Sequence, residues 1–390
     1  MLLLISVWWA AMLLARALDL ALPWVISATS AHVLLMSLGF MPFFFIGFLF
    51  TAGPKWLALP EVPARKLLPS VLMMLSGWVI ALIGFHTGVI ASTIGLILVA
   101  LGWSLVCLKF VVMVKQSRAS DRVHATLIAL ACCMGVIAMW VAAFALWIEH
   151  EPLLRSAAHA ALWCFVATVF TVVSHRMLPF FSAASIPLLD AWRPMWLLGL
   201  MVSVLWLQAP FAVAELWYWP LPSAVRWMQV AIELPFAALL LWLALRWGLL
   251  QSLKIRLLAM LHGGFVWLGI AFMLAATSHA LMAFTAGDIS LGLAPLHALT
   301  MGYLGSTLLA MVTRVSSGHG GRPLTADNFI WTLYGVLQTA IFLRVIAALW
   351  PSAATPFTLL SVLAWTAVAG SWALRYGGWF GRPRPDGRAG

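Results

Sequence analysis

Charged residues are scarce in this chain: they make up 8% of its 390 residues, and only 11 residues are acidic. A soluble domain carries about 25% charged residues. Hydrophobic residues account for 64% of the chain, and the mean hydropathy is +1.04. This composition excludes an ordinary soluble protein and indicates an all-α, polytopic integral membrane protein.

Several catalytic and binding signatures are also missing. The four cysteines lie in apolar runs without a C-x-x-C pair, which indicates neither a zinc site nor a disulfide framework. There is no Walker loop, dinucleotide-binding fingerprint or nucleophile elbow. No basic cluster with interleaved aromatic residues points to nucleic acid. No catalytic constellation is evident, so whether the protein is an enzyme stays open.

Long apolar runs dominate what is present. A span needs roughly 20 apolar residues, and the sequence predicts about twelve. We expect one transmembrane helical domain over 1–390, ending in a short basic cytoplasmic tail at 377–390. The first run lacks a basic leader and a small-residue cleavage site, so we expect it to remain as an anchor. The predicted spans are 2–20, 32–53, 68–86, 89–113, 124–147, 157–178, 194–213, 224–246, 256–278, 295–314, 327–349 and 356–376.

Lysine and arginine are distributed unevenly between the two ends of these spans. Of the 22 basic residues, all but Arg16, Arg155, Arg226 and Arg344 lie at the end of an even-numbered span or after it. Cytoplasmic loops carry the excess of basic residues, so we expect both termini in the cytoplasm. The net charge of +11 is then an orientation signal, and membrane lipid is the expected surface partner.

This orientation sorts the histidines by side. His32, His279 and His297 lie at the outer ends of spans two, nine and ten. Spans nine and ten are consecutive, so we expect their outer ends to be close, where the three imidazoles could converge. Imidazole ligates haem iron and copper, which makes these three residues candidate metal ligands. The alternative is that each is an interfacial histidine bonded to backbone or water.

A second group of polar residues lies toward the cytoplasm. His262 and His319 share that side and could pair, and Arg314 and Arg322 flank His319 as candidates to hold a propionate or phosphate. The alternative is that they are ordinary positive-inside residues in a glycine-rich turn. Glu233, well inside span eight, must be protonated or paired, either as a proton relay or as a structural carboxyl.

Four stretches are similar to a known family. HALTMGYLGSTLLAMVTRVSSGHGGRPL, beginning at His297, is the most specific, and SLGFMPFFFIGFLFTAGPKW (37–56), HRMLPFFS (175–182) and HGGFVWLG (262–269) occur in the same order as in the family. Together they resemble the NnrS family of polytopic bacterial membrane proteins, over nearly the whole chain. The residues that match the family's pattern are His262, His297, Arg314, His319, Gly321 and Arg322.

The resemblance implies an inner-membrane protein that holds haem, with copper as a second metal, and that serves nitric oxide or nitrosative stress tolerance or denitrification. Nitric oxide or a related small molecule is then the expected ligand. The implied cofactor-binding residues are His32, His262, His297 and His319, supported by Arg314 and Arg322.

One stretch departs from the family's W-H-x-H-E-M pattern. His32 and Met36 are kept, but Leu34 and Leu35 replace the second histidine and the glutamate. Leucine cannot ligate a metal, so copper binding is in doubt in this chain.

Two other classes of function remain open from the residues. A secondary transporter of a small anion suits twelve spans with both ends inside, although no half-to-half similarity is visible. A structural or assembly protein without a cofactor is the third hypothesis.

Overall fold

The computed structural model describes residues 1–380 and Pro385. In this part of the chain every regular element is helical, and none is a β-strand. We number twelve main helices in chain order, joining segments that run on without a break. They are α1 Leu2–Ala17, α2 Ala28–Trp56, α3 Leu68–Thr87, α4 Val89–Gln116, α5 Val123–Trp147, α6 Glu151–Ser185, α7 Met195–Trp217, α8 Ser223–Arg246, α9 Arg256–Phe284, α10 Ala294–His319, α11 Asn328–Leu349 and α12 Pro351–Gly377.

Eleven of these helices, counted among the described residues, are long and apolar enough to cross a membrane. The exception is α1, which has 16 residues. At 1.5 Å per residue it is about 24 Å long, shorter than a hydrocarbon core of about 30 Å. The all-α, polytopic membrane fold expected from the sequence is thus confirmed. The predicted tail at 377–390 begins where α12 ends and otherwise lies almost wholly outside the described residues.

The first compact unit comprises residues 1–5, 19–173 and 195–219. It contains α2 to α5, most of α6, and α7. Tight contacts between α3 and α4 hold part of it together: a Cβ added at Gly84 would lie 2.3 Å from the backbone nitrogen of Ser92, and one at Gly95 would lie 2.5 Å from that of Ala81. Glycine is required at both positions, because any side chain would force the two helices apart.

The second compact unit comprises residues 6–18, 174–194 and 220–390. It contains most of α1, the last residues of α6, and α8 to α12. In this unit α8 packs along α9, and α11 packs along α12. The indole nitrogen of Trp365 donates to the Ser6 hydroxyl at 3.0 Å, which fixes α12 against α1.

Within the part of the chain that the structure describes, three helices contain π-helical segments, at Leu35–Gly39 in α2, Ala161–Ala167 in α6 and Ala298–Gly305 in α10. Each segment begins within three residues after a histidine, namely His32, His159 or His297. A π-helical turn leaves the regular hydrogen-bond ladder and is frequent at functional sites. The segments in α2 and α6 pack against each other within the first unit. These irregular turns mark the histidine-bearing helix ends as places to look for a site.

Candidate functional site

Two histidines predicted to lie on the outer side, His279 and His297, belong to the second unit, in which α9 packs against both α8 and the start of α10. Glu233 of α8 is fully buried, and its Oε2 lies 2.7 Å from Nδ1 of His279 on α9. Next to His279, the Ser278 hydroxyl accepts the backbone N–H of Leu291 at 3.0 Å. The end of α9 is therefore tied both to α8 and to the segment that leads into α10. This confirms the expectation that the end of span nine and the start of span ten lie close together.

His297 follows on α10, just before the π-helical segment. Its side chain is 7% exposed, and Nδ1 lies 2.9 Å from the carbonyl oxygen of Leu293. A carbonyl oxygen can only accept, so Nδ1 carries the hydrogen. In this tautomer of the neutral ring, Nε2 carries the lone pair and can therefore ligate a metal. The backbone therefore fixes His297 in a form suited to coordination.

His32 occupies a comparable position in the first unit, whereas His279 and His297 belong to the second. It is partly exposed and precedes the π-helical segment of α2. Leu34 and Leu35, which replace the polar residues of the NnrS pattern, are both 0% exposed. Burial of two apolar side chains agrees with their packing into the core of this unit, where a histidine or glutamate would need a partner.

His262 of α9 is the most buried of the candidate ligands. It is fully buried, and its Nε2 lies 2.9 Å from the hydroxyl oxygen of Ser182 on α6. Its Nδ1 is also buried, and no hydrogen-bond partner for it occurs among residues 1–380 and Pro385. A buried ring nitrogen without a partner costs free energy unless a ligand or water satisfies it. This nitrogen is therefore a candidate contact for a bound group.

The two glycines after His262 let neighbouring helices approach. A Cβ at Gly263 would lie 2.1 Å from the Tyr334 hydroxyl of α11, and one at Gly264 would lie 2.4 Å from the Thr307 hydroxyl of α10. Three oxygen-bearing side chains, counting Ser182, thus border the backbone around His262. The sequence had singled out His262 but not these oxygen atoms, which come from helices distant in the chain.

His319 and His262, both predicted to lie toward the cytoplasm, are not hydrogen-bonded to each other as the sequence had suggested. His319 is the last residue of α10 and is exposed, whereas His262 is buried against Ser182. Gly321, with φ of +65°, adopts the left-handed conformation and turns the chain after the helix.

The two arginines near His319 stack on aromatic rings. The guanidinium carbon of Arg314 lies 3.9 Å from the centroid of Phe181, and that of Arg322 lies 4.0 Å from the centroid of Trp379. Stacking engages the flat face of a guanidinium group and leaves its in-plane N–H donors able to bind an anion. Of those donors, Nη1 of Arg322 already reaches the carbonyl oxygen of Gly320 at 3.3 Å.

A family model described as NnrS protein matches residues 1–384. The chain belongs to the NnrS family. The match covers every helix of the chain and confirms the resemblance seen in its four motifs. The comparisons with curated proteins and with solved structures gave no match.

Within this NnrS-family fold the individual metal-ligand hypotheses stay predictions. Among the described residues, no three or more His, Cys, Asp or Glu side chains are grouped so that they could hold a bare metal ion. A haem needs only one or two axial ligands from the protein. The buried nitrogen of His262 and the fixed tautomer of His297 suit such a ligand. Gly305 lies about two turns after His297 on α10, where a glycine could leave space for the flat haem ring. The Trp365 indole fills that space, because a Cβ added at Gly305 would lie 2.9 Å from it.

Proposed function

We propose that this NnrS-family protein is a haem-holding protein of the bacterial inner membrane that contributes to tolerance of nitric oxide and nitrosative stress or to denitrification. Copper is the second candidate metal. The observation that carries the proposal is that α9, which bears His279, packs against the start of α10, which bears His297. The Nδ1 atoms of both already have an oxygen partner, at 2.7 and 2.9 Å.

Histidines would ligate the metal of the cofactor, and arginines would bind its carboxylate groups. On the predicted outer side, His297 and His279 of the second unit would supply ligand nitrogens, and His32 of the first unit is a separate candidate. On the predicted cytoplasmic side, His262 would supply one. Arg314 and Arg322 would hold carboxylate groups of the cofactor through their in-plane donors. When bound, haem supplies an iron that takes a small diatomic ligand such as nitric oxide, and the polarity around it tunes that binding.

The test begins with the purified full-length protein in detergent. Reduced-minus-oxidised spectra should show a Soret band, and elemental analysis should find iron, or iron with copper, in a simple ratio to protein. Adding nitric oxide in solution to the reduced protein should shift the band. A preparation from haem-sufficient cells with neither a Soret band nor stoichiometric iron or copper would overturn the proposal.

The cellular role needs its own measurement. A strain lacking the gene should grow more slowly than its parent when a nitric oxide donor is added, and the wild-type gene should restore growth. His297→Ala should restore it poorly, because one candidate ligand is lost. His86→Ala is the matched control: His86 also ends a helix and bonds a backbone carbonyl through Nδ1, at 2.7 Å from Pro23, but has no assigned role. Equal restoration by the two variants would count against His297.

A further inference from the structure

One face of α8 carries a row of buried polar side chains. Arg226, Gln229 and Glu233 are spaced by three and four residues, so they share this face. All three are at most 2% exposed, and Nη1 of Arg226 donates to Oε1 of Gln229 at 3.3 Å. Glu233 lies ten residues beyond Ser223, about 15 Å along the helix. This row of side chains therefore places a carboxyl group inside the span of α8, level with His279 of α9.

A carboxyl group at this depth is expensive, so such residues are rare in spans and are usually paired or functional. Glu233 has a pairing partner in His279: Oε2 of Glu233 and Nδ1 of His279 are 2.7 Å apart, across the interface of α8 and α9. Two such atoms at this distance share a hydrogen. With Glu233 ionised, Nδ1–H donates to the carboxylate, and Nε2 of the neutral ring holds the lone pair.

This arrangement is the one that metal-ligating histidines use. Such a histidine donates its other N–H to a carboxylate or carbonyl, which fixes the tautomer, orients the ring and makes the ligating nitrogen more basic. Resting on the function proposed above, we propose that Glu233 is the positioning carboxylate of His279, which presents Nε2 to the haem iron or copper. Glu233 acts through the imidazole and does not itself touch the metal.

A purely structural role for the pair makes different predictions, because it would affect folding and leave the metal unchanged. The informative variant is Glu233→Gln, which keeps the shape and an acceptor oxygen but loses the charge. With hemin and Cu(II) titrated separately into cofactor-free protein in detergent, the affinity of the probe bound at His279 should fall about 10- to 100-fold. The midpoint potential of the bound metal should rise, since a less basic imidazole stabilises the oxidised state less.

A double-mutant cycle then tests whether Glu233 affects probe binding through His279. If Glu233 acts through His279, Glu233→Gln should weaken probe binding in the wild-type background and add nothing in a His279→Ala background. Thr277→Val is the matched control, because Thr277 lies on α9 two residues before His279. Its side chain is exposed and donates to the Met273 carbonyl one helical turn earlier. Only variants whose size-exclusion profile and thermal midpoint match those of the wild type are compared, so that weaker binding is not caused by misfolding.

The outcomes separate the two proposals. If wild-type protein binds neither hemin nor Cu(II), the proposed function fails, and this inference fails with it. If wild-type protein binds a probe but Glu233→Gln changes neither affinity nor potential, only the role of Glu233 is overturned. An equal loss in the His279→Ala background would overturn it as well, because the effect would not pass through His279.

Discussion

Gly264 gives a sharp test of how closely α9 and α10 pack beside His262. An alanine Cβ there would lie 2.4 Å from the Thr307 hydroxyl oxygen and 2.9 Å from the Thr307 backbone nitrogen. The hydroxyl can rotate away, but the backbone nitrogen cannot. Ordinary contact begins at 3.4 Å, so the two helices must separate by about 0.5 Å in a region packed as densely as a crystal.

Gly335 of α11 provides the matched control, because a Cβ added there has no neighbour within 4 Å. Both glycines lie inside helices, so both alanine variants gain the same helix propensity of up to about 1 kcal/mol. Overpacking costs typically about 1–3 kcal/mol and applies only to Gly264. Gly264→Ala should therefore be about 1–3 kcal/mol less stable than Gly335→Ala, since the propensity gain cancels between them.

Thermal unfolding in detergent, followed by tryptophan fluorescence, measures this difference. Gly264→Ala should unfold at a lower temperature than wild type or within error of it, and Gly335→Ala at an equal or higher temperature. Equal midpoints for the two variants would refute the close packing of α9 on α10. The packing of α10 next to His262 would then need revision.

Two further predictions concern regions outside the spans. The Arg375 hydrogen bond holds the pKa of Asp327 below its usual value, so this pair stabilises the fold near neutral pH and the benefit is lost as pH falls below about 4. Asp327→Asn, which keeps a good helix cap, should be modestly less stable than wild type at pH 7, and unfolding midpoints that fail to converge at acid pH would contradict this. For orientation, an impermeant maleimide should label Tyr218→Cys in intact cells but Leu188→Cys only after lysis; the reverse pattern would invert the predicted topology.

The helices were largely predictable because lipid requires long apolar runs, and these were read directly from composition. Their partners were not. Lipid is as apolar as a protein core, so these helices are hydrophobic on all sides and the sequence does not mark which face packs inward. Glu233 and His279 are 46 residues apart, and Ser182 and His262 are 80 apart, so only the assembled fold brings each pair together.

The irregular turns escaped the sequence for a related reason. No residue type in Ala298–Gly305 specifies a π-helical turn in place of an α-helical one. The longer extent of α6, from Glu151 to Ser185 against the predicted 157–178, has a clearer cause. His150 caps its start by accepting the N–H of Leu153 at 3.2 Å, and a histidine cap is not a common helix signal.

We propose that the imidazoles at the adjoining ends of α9 and α10 hold a metal cofactor. The most direct measurement compares optical and electron paramagnetic resonance spectra of wild type, His297→Ala and His86→Ala, purified identically with iron and copper contents determined. We expect a lost or shifted signal in His297→Ala and an unchanged one in His86→Ala. Identical spectra and metal contents in all three proteins would contradict it and remove His297 from the ligand set.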